Sequence, residues 1–253
     1  MERKINQVKS LYKAMKVLEC FTVEQPELSI TEISCKLGLY KSNVYNILST
    51  FEQLGYVSQN PENSKYRLGI KILNRSFVFN SHMSIQRIVL PHMQRIADSS
   101  HENVYLAVPN GTEVVYLESC CPYGIAPSRN LQGERAPMYC TAIGKAILAC
   151  SPQKVIDEVY KNKVHKFTEQ TIMEKDKLEE ELKIIRSRGY AIDEMEHEYG
   201  IRCVGMAIKN SSGEAYAGLS VSGPSPRIDD KKIELLAGLL QENIRTIEED
   251  YKF

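Results

Sequence analysis

Six side chains between positions 41 and 49 can donate or accept hydrogen bonds, and none of them is acidic. They are Lys41, Ser42, Asn43, Tyr45, Asn46 and Ser49. Side chains of these types can bond to base edges and to phosphate oxygens. Two cations, Lys65 and Arg67, follow in a short stretch that alternates apolar and polar residues. The residue types indicate contact with a nucleic acid, provided that one helix presents the first six together.

Three predicted helices would position these residues. The first covers 10–21, and the second starts in a capping box made by Ser29 and Glu32. Gly38 then stands where a left-handed residue ends a helix. The third helix runs from about Tyr40 to Leu54, and its apolar residues share one face. They are Val44, Ile47, Leu48 and Phe51. The six polar side chains therefore lie on the outward side of the third helix.

A hairpin is predicted next, because the turn-forming residues 60–64 separate two short alternating runs, 56–59 and 65–68. This order of elements is typical of a winged helix-turn-helix, whose second motif helix enters the major groove. The residues predicted to contact bases are Asn43, Tyr45, Asn46 and Ser49, and those predicted to contact phosphates are Lys41, Ser42, Lys65 and Arg67. The alternative is a solvated helix face in a protein-interaction module.

The charge distribution of the 253-residue chain is uneven, although its net charge is zero. Residues 1–80 hold 11 Lys/Arg and 7 Asp/Glu, a balance of +4, and residues 81–253 hold 21 and 25, a balance of −4. This asymmetry is compatible with a small nucleic-acid module beside an acidic partner domain, and equally with chance.

Composition excludes several other classes of protein. No uncharged apolar run reaches the length of about 18 residues that a membrane span needs. The first ten residues lack the apolar core of a signal peptide. The seven cysteines are odd in number and contain no Cys-x-x-Cys spacing. We therefore expect a cytoplasmic protein with free thiols and with no metal, no cofactor and no membrane span.

The rest of the chain predicts an α+β domain. Asn110-Gly111 between two β-rich runs, 103–108 and 113–118, indicates a hairpin. Further strands are predicted at 190–194, 204–209 and 215–221, and helices at 141–150, 151–160, 174–188 and 228–250. Before them, 69–99 forms a helix that Pro91 either kinks or restarts.

A ligand site is predicted where small and polar residues meet. The loop 119–140 is long enough to be a binding loop, and it leads into the small residues 141–144 at a helix start, where unpaired amides attract carboxylates. Ser220 and Ser222 point to one sheet face, because they are two residues apart. With Asp193 and Cys203 they suit a small hydroxy- or keto-acid, and Arg129 in the loop could pair with its carboxylate. Alternatively, these are a core thiol, a backbone-bonded serine and a turn-capping aspartate.

Three stretches resemble the IclR-type bacterial transcriptional regulators. They are "ITEISCKLGLYKSNVYNILSTFEQLGYV" with the following "KYRLG", "RAPMYCTAIGKAILA", and "GYAIDEMEHEYGIRCVGMAIKNSSGEAYAGLSVSGPSPRI". The resemblance implies a winged helix-turn-helix joined by a linker helix to a GAF-like effector domain. It also implies effector contacts at Thr141, Ala142, Ile143, Asp193, Cys203, Ser220 and Ser222.

The same resemblance implies partners and boundaries. We expect a DNA-binding domain at 1–68, a linker helix at 69–83 and an effector domain at 84–253. Homodimers, and in some cases dimers of dimers, would form through the linker and bind a pseudo-palindromic DNA operator. Tyr40 replaces the proline common in the family, and Tyr45-Asn46 replaces a usual His-Arg pair, so the operator sequence is expected to differ.

Catalysis is the competing class of function. Cys203 and His197 could form a nucleophile and its base, but His197 lies among carboxylates in "EMEHEYG". No nucleophile elbow, metal motif or phosphate-binding loop occurs. We therefore expect no enzymatic activity. A ligand-independent DNA-binding or protein-interaction module is the remaining alternative.

Overall fold

The computed structural model of the chain describes residues 8–82, 84–124, 131–161 and 164–250. The chain divides into two compact units, Met1–Met83 and Ser84–Phe253. The predicted role of residues 69–83 as a separate linker stays a prediction. Arg129 lies outside the described residues, so its proposed contact with a carboxylate also stays a prediction.

The first unit has the predicted winged helix-turn-helix order. Its elements are α1 (Lys9–Leu18), α2 (Ile30–Leu37), α3 (Lys41–Gln53), β1 (Val57–Gln59), β2 (Tyr66–Leu68) and α4 (Lys71–His82). The two strands pair antiparallel, with Ser58 opposite Arg67. A small core forms where the three helices and the hairpin meet, and it buries Val17, Ile33, Val44, Leu48 and Tyr66. Burial of one side of α3 fixes which of its side chains face outward.

The start and the end of α2 follow from local hydrogen bonds. The Ser29 hydroxyl accepts from the Glu32 N–H at 3.2 Å, and the Glu32 carboxylate accepts from the Ser29 N–H at 2.7 Å. Both bonds of the predicted capping box are therefore present. At the other end Gly38 adopts φ 62°, a conformation that glycine reaches without a steric cost. The helix–turn–helix is thus set by residues close in sequence.

Replacing Ser29 by alanine should destabilise α2 by about 1 kcal/mol, because the Glu32 N–H would lose its acceptor. Amide hydrogen exchange of α2 in the full-length protein would measure the loss. Thr31→Ala is the matched control, since Thr31 is exposed in the first turn of the same helix. Equal protection in Ser29→Ala and in the wild type would show that the cap contributes little.

The second unit is an α+β domain built on one antiparallel sheet. Its elements are α5 (Ser84–Ser100), β3 (Asn103–Asn110), β4 (Glu113–Cys120), β5 (Arg135–Pro137), α6 (Ala142–Ala149), α7 (Gln153–Val159), α8 (Lys175–Arg188), β6 (Ala191–Glu194), β7 (Ile201–Lys209), β8 (Ala215–Pro224) and α9 (Asp230–Asp250). The strand order is β5-β4-β3-β8-β7-β6. The predicted fold class is confirmed.

Two glycines let α6 lie directly on the sheet. A Cβ atom on Gly205 of β7 would stand 2.5 Å from the carbonyl carbon of Ala142. A Cβ atom on Gly218 of β8 would stand 2.8 Å from Cγ1 of Ile143. Neither distance is possible between real atoms, so only glycine permits this approach. The first turn of α6 is therefore held against the middle of the sheet.

Two details of the sequence prediction can be compared with the structure. Pro91 lies inside α5, so of the two alternatives predicted for this proline it does not begin a new helix. The segment 119–140 is not one loop, because residues Arg135–Pro137 form β5 and pair with β4. A single 3-10 turn, Met138–Cys140, then leads into α6. A three-residue edge strand with a charged and a proline residue carries too little pattern to be recognised in sequence.

Candidate DNA-binding face and ligand cavity

The polar residues of α3 form one outward face. Val44 and Leu48 are buried in the core of the first unit. Ser49 is half-buried, and the other five predicted contact residues are exposed. These five are Lys41, Ser42, Asn43, Tyr45 and Asn46. No acidic residue lies in the first turn, and no side chain caps its amides. The front of α3 thus offers hydrogen-bond donors and a positive helix end to an anion such as a phosphate.

The two cations of the hairpin already have partners within the first unit. The Lys65 ammonium lies 3.1 Å from a Glu32 carboxylate oxygen, and the Arg67 guanidinium lies 3.5 Å from Glu27. Hydrogen bonds from Ser29, together with Lys65, lower the pKa of Glu32 to about 2, so that carboxylate stays charged. Exposed ion pairs of this kind are weak. Phosphates can therefore compete for both cations, but only by displacing a carboxylate.

A cavity of about 1040 Å³ opens in the second unit between the start of α6 and the sheet. It brings together all seven predicted effector residues that the structure describes. They are Thr141, Ala142, Ile143, Asp193, Cys203, Ser220 and Ser222. These residues come from four parts of the chain that span more than eighty positions. The fold therefore places in one cavity wall seven residues that are distant in sequence and that were only predicted to share a ligand site.

Strand register explains why the polar residues meet. Asp193 lies directly opposite Cys203, and Cys203 lies directly opposite Ser222, so the three form a row across β6, β7 and β8. The Cys203 thiol donates to the Ser222 hydroxyl at 3.1 Å. Burial raises the pKa of this thiol, which keeps it protonated. A protonated thiol is a weak hydrogen-bonding group and a poor nucleophile.

The start of α6 can bind a carboxylate beside this row. The Thr141 hydroxyl accepts from the Gly144 N–H at 3.2 Å and donates to the Pro137 carbonyl at 2.9 Å. The N–H groups of Ala142 and Ile143 precede the first helical hydrogen bonds. Together with the helix dipole they form a site for negative charge.

Asp193 lines the cavity and also accepts a hydrogen bond from the backbone of the turn that follows β6. Only 4% of the residue is exposed, and its Oδ1 accepts from the Glu196 N–H at 2.7 Å. The capping of a turn, which the sequence left as an alternative, is therefore present. Burial, with a smaller effect of the Glu196 charge, raises the pKa of Asp193 to about 7. The carboxyl group can thus donate as well as accept hydrogen bonds near neutral pH.

A buried ion pair supports this wall, and sequence reasoning missed it. The Lys145 ammonium on α6 donates to Oε1 of Glu196, and the two side chains are 1% and 5% exposed. Burial raises the pKa of Glu196. Its second oxygen, Oε2, has no hydrogen-bond partner among the described residues. The pair joins α6 to the turn after β6, and no signal in the sequence links residues 51 positions apart.

Three further cavity residues, Asn103, Tyr105 and Tyr116, were also missed. The two tyrosine rings meet edge to face with centroids 5.8 Å apart, and burial raises the pKa of Tyr116. Asn103 lies opposite Ser222, and Tyr105 lies opposite Ser220. Alternation along β3 places Asn103 and Tyr105 on one face, but the sequence does not reveal which strand is their neighbour.

Within the described part of the chain, no group of three or more His, Cys, Asp or Glu side chains could hold a metal ion. Within the same residues, no helix combines the length and apolar character needed to cross a membrane.

Comparison with known proteins gives a consistent result over nearly the whole chain. The family model "Bacterial transcriptional regulator IclR C-terminal" matches residues 78–249, and "IclR helix-turn-helix domain" matches 10–61. The chain is 31% identical over 236 residues to the HTH-type transcriptional regulator XynR of Escherichia coli, covering 93% of this chain and 94% of that protein. It is 29% identical to the transcriptional repressor IclR of Escherichia coli, covering 90% and 84%.

Solved structures agree with these relatives. The IclR of Thermotoga maritima superposes with a TM-score of 0.74 at 30% identity, covering 98% of this chain and 100% of that one. A regulator from Alicyclobacillus acidocaldarius reaches a TM-score of 0.85 at 22% identity, covering 96% and 98%, which shows the shared fold. The relatives named are transcriptional regulators, so the expectation that the chain is not an enzyme is confirmed. The chain belongs to the IclR family and is a transcriptional regulator with a helix-turn-helix DNA-binding domain.

Proposed function

We propose that a small organic acid binds the cavity of the second unit and changes the affinity of the protein for its DNA operator. The observation that carries this proposal is the meeting of all seven described candidate residues on one cavity wall. The amides of α6 would hold the carboxylate, and the row from Asp193 to Ser222 would bond to its oxygen substituents. An IclR homolog from Microbacterium hydrocarbonoxydans with the same fold (TM-score 0.80, 22% identity, 95% and 98% covered) was solved in complex with 4-hydroxybenzoate, which supports ligand binding in this fold.

The proposed operator contact uses the exposed front of α3. Asn43, Tyr45, Asn46 and Ser49 would read base edges, while Lys41, Ser42, Lys65 and Arg67 would bind phosphates. An α-helix fits the major groove of B-DNA, and its N-terminal end approaches first. The exposure of the α3 front and the lack of acidic residues in its first turn support this orientation.

A homodimer would read a pseudo-palindromic operator, and a dimer of dimers is the larger assembly consistent with the proposal. Five apolar residues on and just before α4 are half to three-quarters exposed. They are Ile70, Leu73, Phe77, Val78 and Phe79. Apolar residues grouped in this way on a helix are typical of an interaction surface. Sedimentation equilibrium of the wild type and of Leu73→Glu/Phe77→Glu would test whether the chain forms a dimer through this apolar surface. A monomeric wild type would contradict the proposed homodimer.

The effector part of the proposal can be tested on the full-length protein. Thermal unfolding would be followed with a set of small carboxylic acids, and operator binding would be measured with and without each acid that raises the melting temperature. A bound effector should change operator affinity by about 1–3 kcal/mol. Acids that bind without changing operator affinity, or a failure of all acids to bind, would favour a ligand-independent DNA-binding protein.

Asn46→Ala should weaken binding to the specific operator by about 1–3 kcal/mol and relax the base preference at one position. The Asn46 side chain is exposed, so its loss should not affect folding. Fluorescence anisotropy with the operator and with single-base variants would measure both effects. An unchanged affinity for the operator would contradict the assignment of the reading face.

Lys65→Ala is the matched control for this measurement. It should weaken binding to all sequences alike and lower the slope of log affinity against log salt by about 1. The loss of DNA affinity should be smaller than that for a lysine without an ion-pair partner, because Lys65 is paired with Glu32 in the free protein.

A further inference from the structure

The polar row in the cavity continues onto a fourth strand. Asn103 of β3 lies directly opposite Ser222 of β8, and Ser222 lies opposite Cys203 of β7. Asp193 of β6 lies at the other end of the row, opposite Cys203. Residues that are directly opposite in adjacent strands point to the same side of a sheet. All four line the same cavity.

The Asn103 amide is available to a ligand. The residue is half-buried and lines the cavity, and its side chain makes no hydrogen bond to any described residue. Its neighbour along the row, Ser222, already accepts from Cys203. An amide offers two donors and one carbonyl acceptor. Asn103 can therefore bond to a hydroxyl group without losing an existing partner.

Asn103 is too far from the carboxylate site to touch a short acid. The first turn of α6 rests on Gly205 of β7, and Asn103 lies two strands further across the sheet. Adjacent strands are about 4.8 Å apart, so the two places are separated by about 10 Å. The cavity of about 1040 Å³ has room for a ligand of that length. Only a longer acid can engage both ends.

The cavity wall favours hydroxyl groups over a second carboxylate. Of its cations within the described residues, Arg135 pairs with Glu113 at 2.7 Å, and Arg227 pairs with both oxygens of Glu102 at 2.6 and 3.0 Å. The Lys232 ammonium donates to a backbone carbonyl at 2.6 Å. The side chains along the row beyond Asp193 are neutral. Neutral groups that both donate and accept are suited to hydroxyls.

We propose that Asn103 is a specificity-determining residue that recognises a hydroxyl group at the end of the effector remote from its carboxylate. The ligand class is then a polyhydroxylated carboxylic acid of about five or six carbons, long enough to cross two strand spacings. This inference rests on the proposed effector function of the same cavity.

Calorimetric titration of the full-length protein with glycolate, glycerate, gluconate, hexanoate and benzoate tests the inference. Gluconate should bind wild-type protein more tightly than glycolate or hexanoate. Asn103→Leu, which keeps the side-chain size, should lose about 3- to 10-fold in gluconate affinity, the value of one hydrogen bond. Its affinity for glycolate should not change, which also shows that the cavity is folded. Asn110→Leu, at the exposed end of the same strand, is the control.

The outcomes separate the two proposals. If gluconate binds no better than glycolate, or if Asn103→Leu binds gluconate like the wild type, the role of Asn103 is wrong. Tight binding of benzoate under those conditions would leave the effector function standing. If none of the five acids binds wild-type protein, the result counts against the effector function, and the inference about Asn103 falls with it.

Discussion

Lys145→Met is expected to lower the free energy of unfolding of the second unit by about 3–5 kcal/mol. The ammonium group of Lys145 meets the Glu196 carboxylate in a site where both side chains are 5% exposed or less. Removal of the cation leaves a buried carboxylate without its counterion, and its second oxygen already lacks a hydrogen-bond partner among the described residues. Glu196 would have to take up a proton or draw water into the core.

Urea unfolding followed by circular dichroism would measure this loss. Lys145→Met/Glu196→Met should recover much of it, because replacement of a whole buried ion pair by apolar groups is often close to neutral. Lys161→Met is the surface control, since the Lys161 side chain is 64% exposed and lies 3.6 Å from Glu158. Exposed ion pairs contribute up to about 1 kcal/mol. If Lys145→Met lowers the free energy of unfolding by less than that, the site is open to water.

Asp193→Asn should change how stability depends on pH. The pKa of Asp193 is raised to about 7 in the folded protein, mainly by burial, against about 3.9 in an unfolded chain. Between these values the folded state keeps a proton that the unfolded state releases. The contribution of Asp193 to stability is therefore fully present below pH 4 and is lost as the pH rises to about 7. Asparagine cannot ionise, but it keeps an oxygen that can accept from the Glu196 N–H.

The free energy of unfolding of Asp193→Asn should therefore rise relative to that of the wild type as the pH rises, by about 2 kcal/mol between pH 5 and pH 7.5. Parallel urea unfolding at the two pH values would measure the difference. Groups that do not interact with Asp193 contribute equally in both proteins, so the difference reports the titration of Asp193 together with that of Glu196, which is coupled to it. Asp230→Asn is the control, because the Asp230 side chain is 95% exposed. A constant difference between variant and wild type across this range would mean that Asp193 is ionised throughout.

The outward face of α3, which we propose to contact DNA, could be predicted because its determinants are local. The capping box of Ser29 and Glu32 spans one helical turn, and Gly38 ends the same helix. The buried positions Val44 and Leu48 fix which side of α3 faces outward. The pairing of Lys65 with Glu32 escaped prediction, because it depends on how the hairpin lies beside α2.

The cavity that we propose as the effector site was predictable only in part. Alternation placed Ser220 and Ser222 on one face, and family resemblance supplied their link to Asp193, Cys203 and residues 141–143. The structure then brought these residues to one wall. The positions of Asn103 and of the tyrosines required the pairing of β3 with β8, strands more than a hundred residues apart.

Most of the helices and strands, the turn chemistry and the outward side of each amphipathic helix followed from the order of residues alone, because these depend on hydrogen bonds and burial patterns within a few residues. Tertiary structure alone decided that Lys145 meets Glu196 in the core and that Asn103 extends the polar row. Both depend on strand register and on the approach of α6 to Gly205. Contacts of this kind are set by the packing of the whole domain, and residues distant in sequence carry no local signal of them.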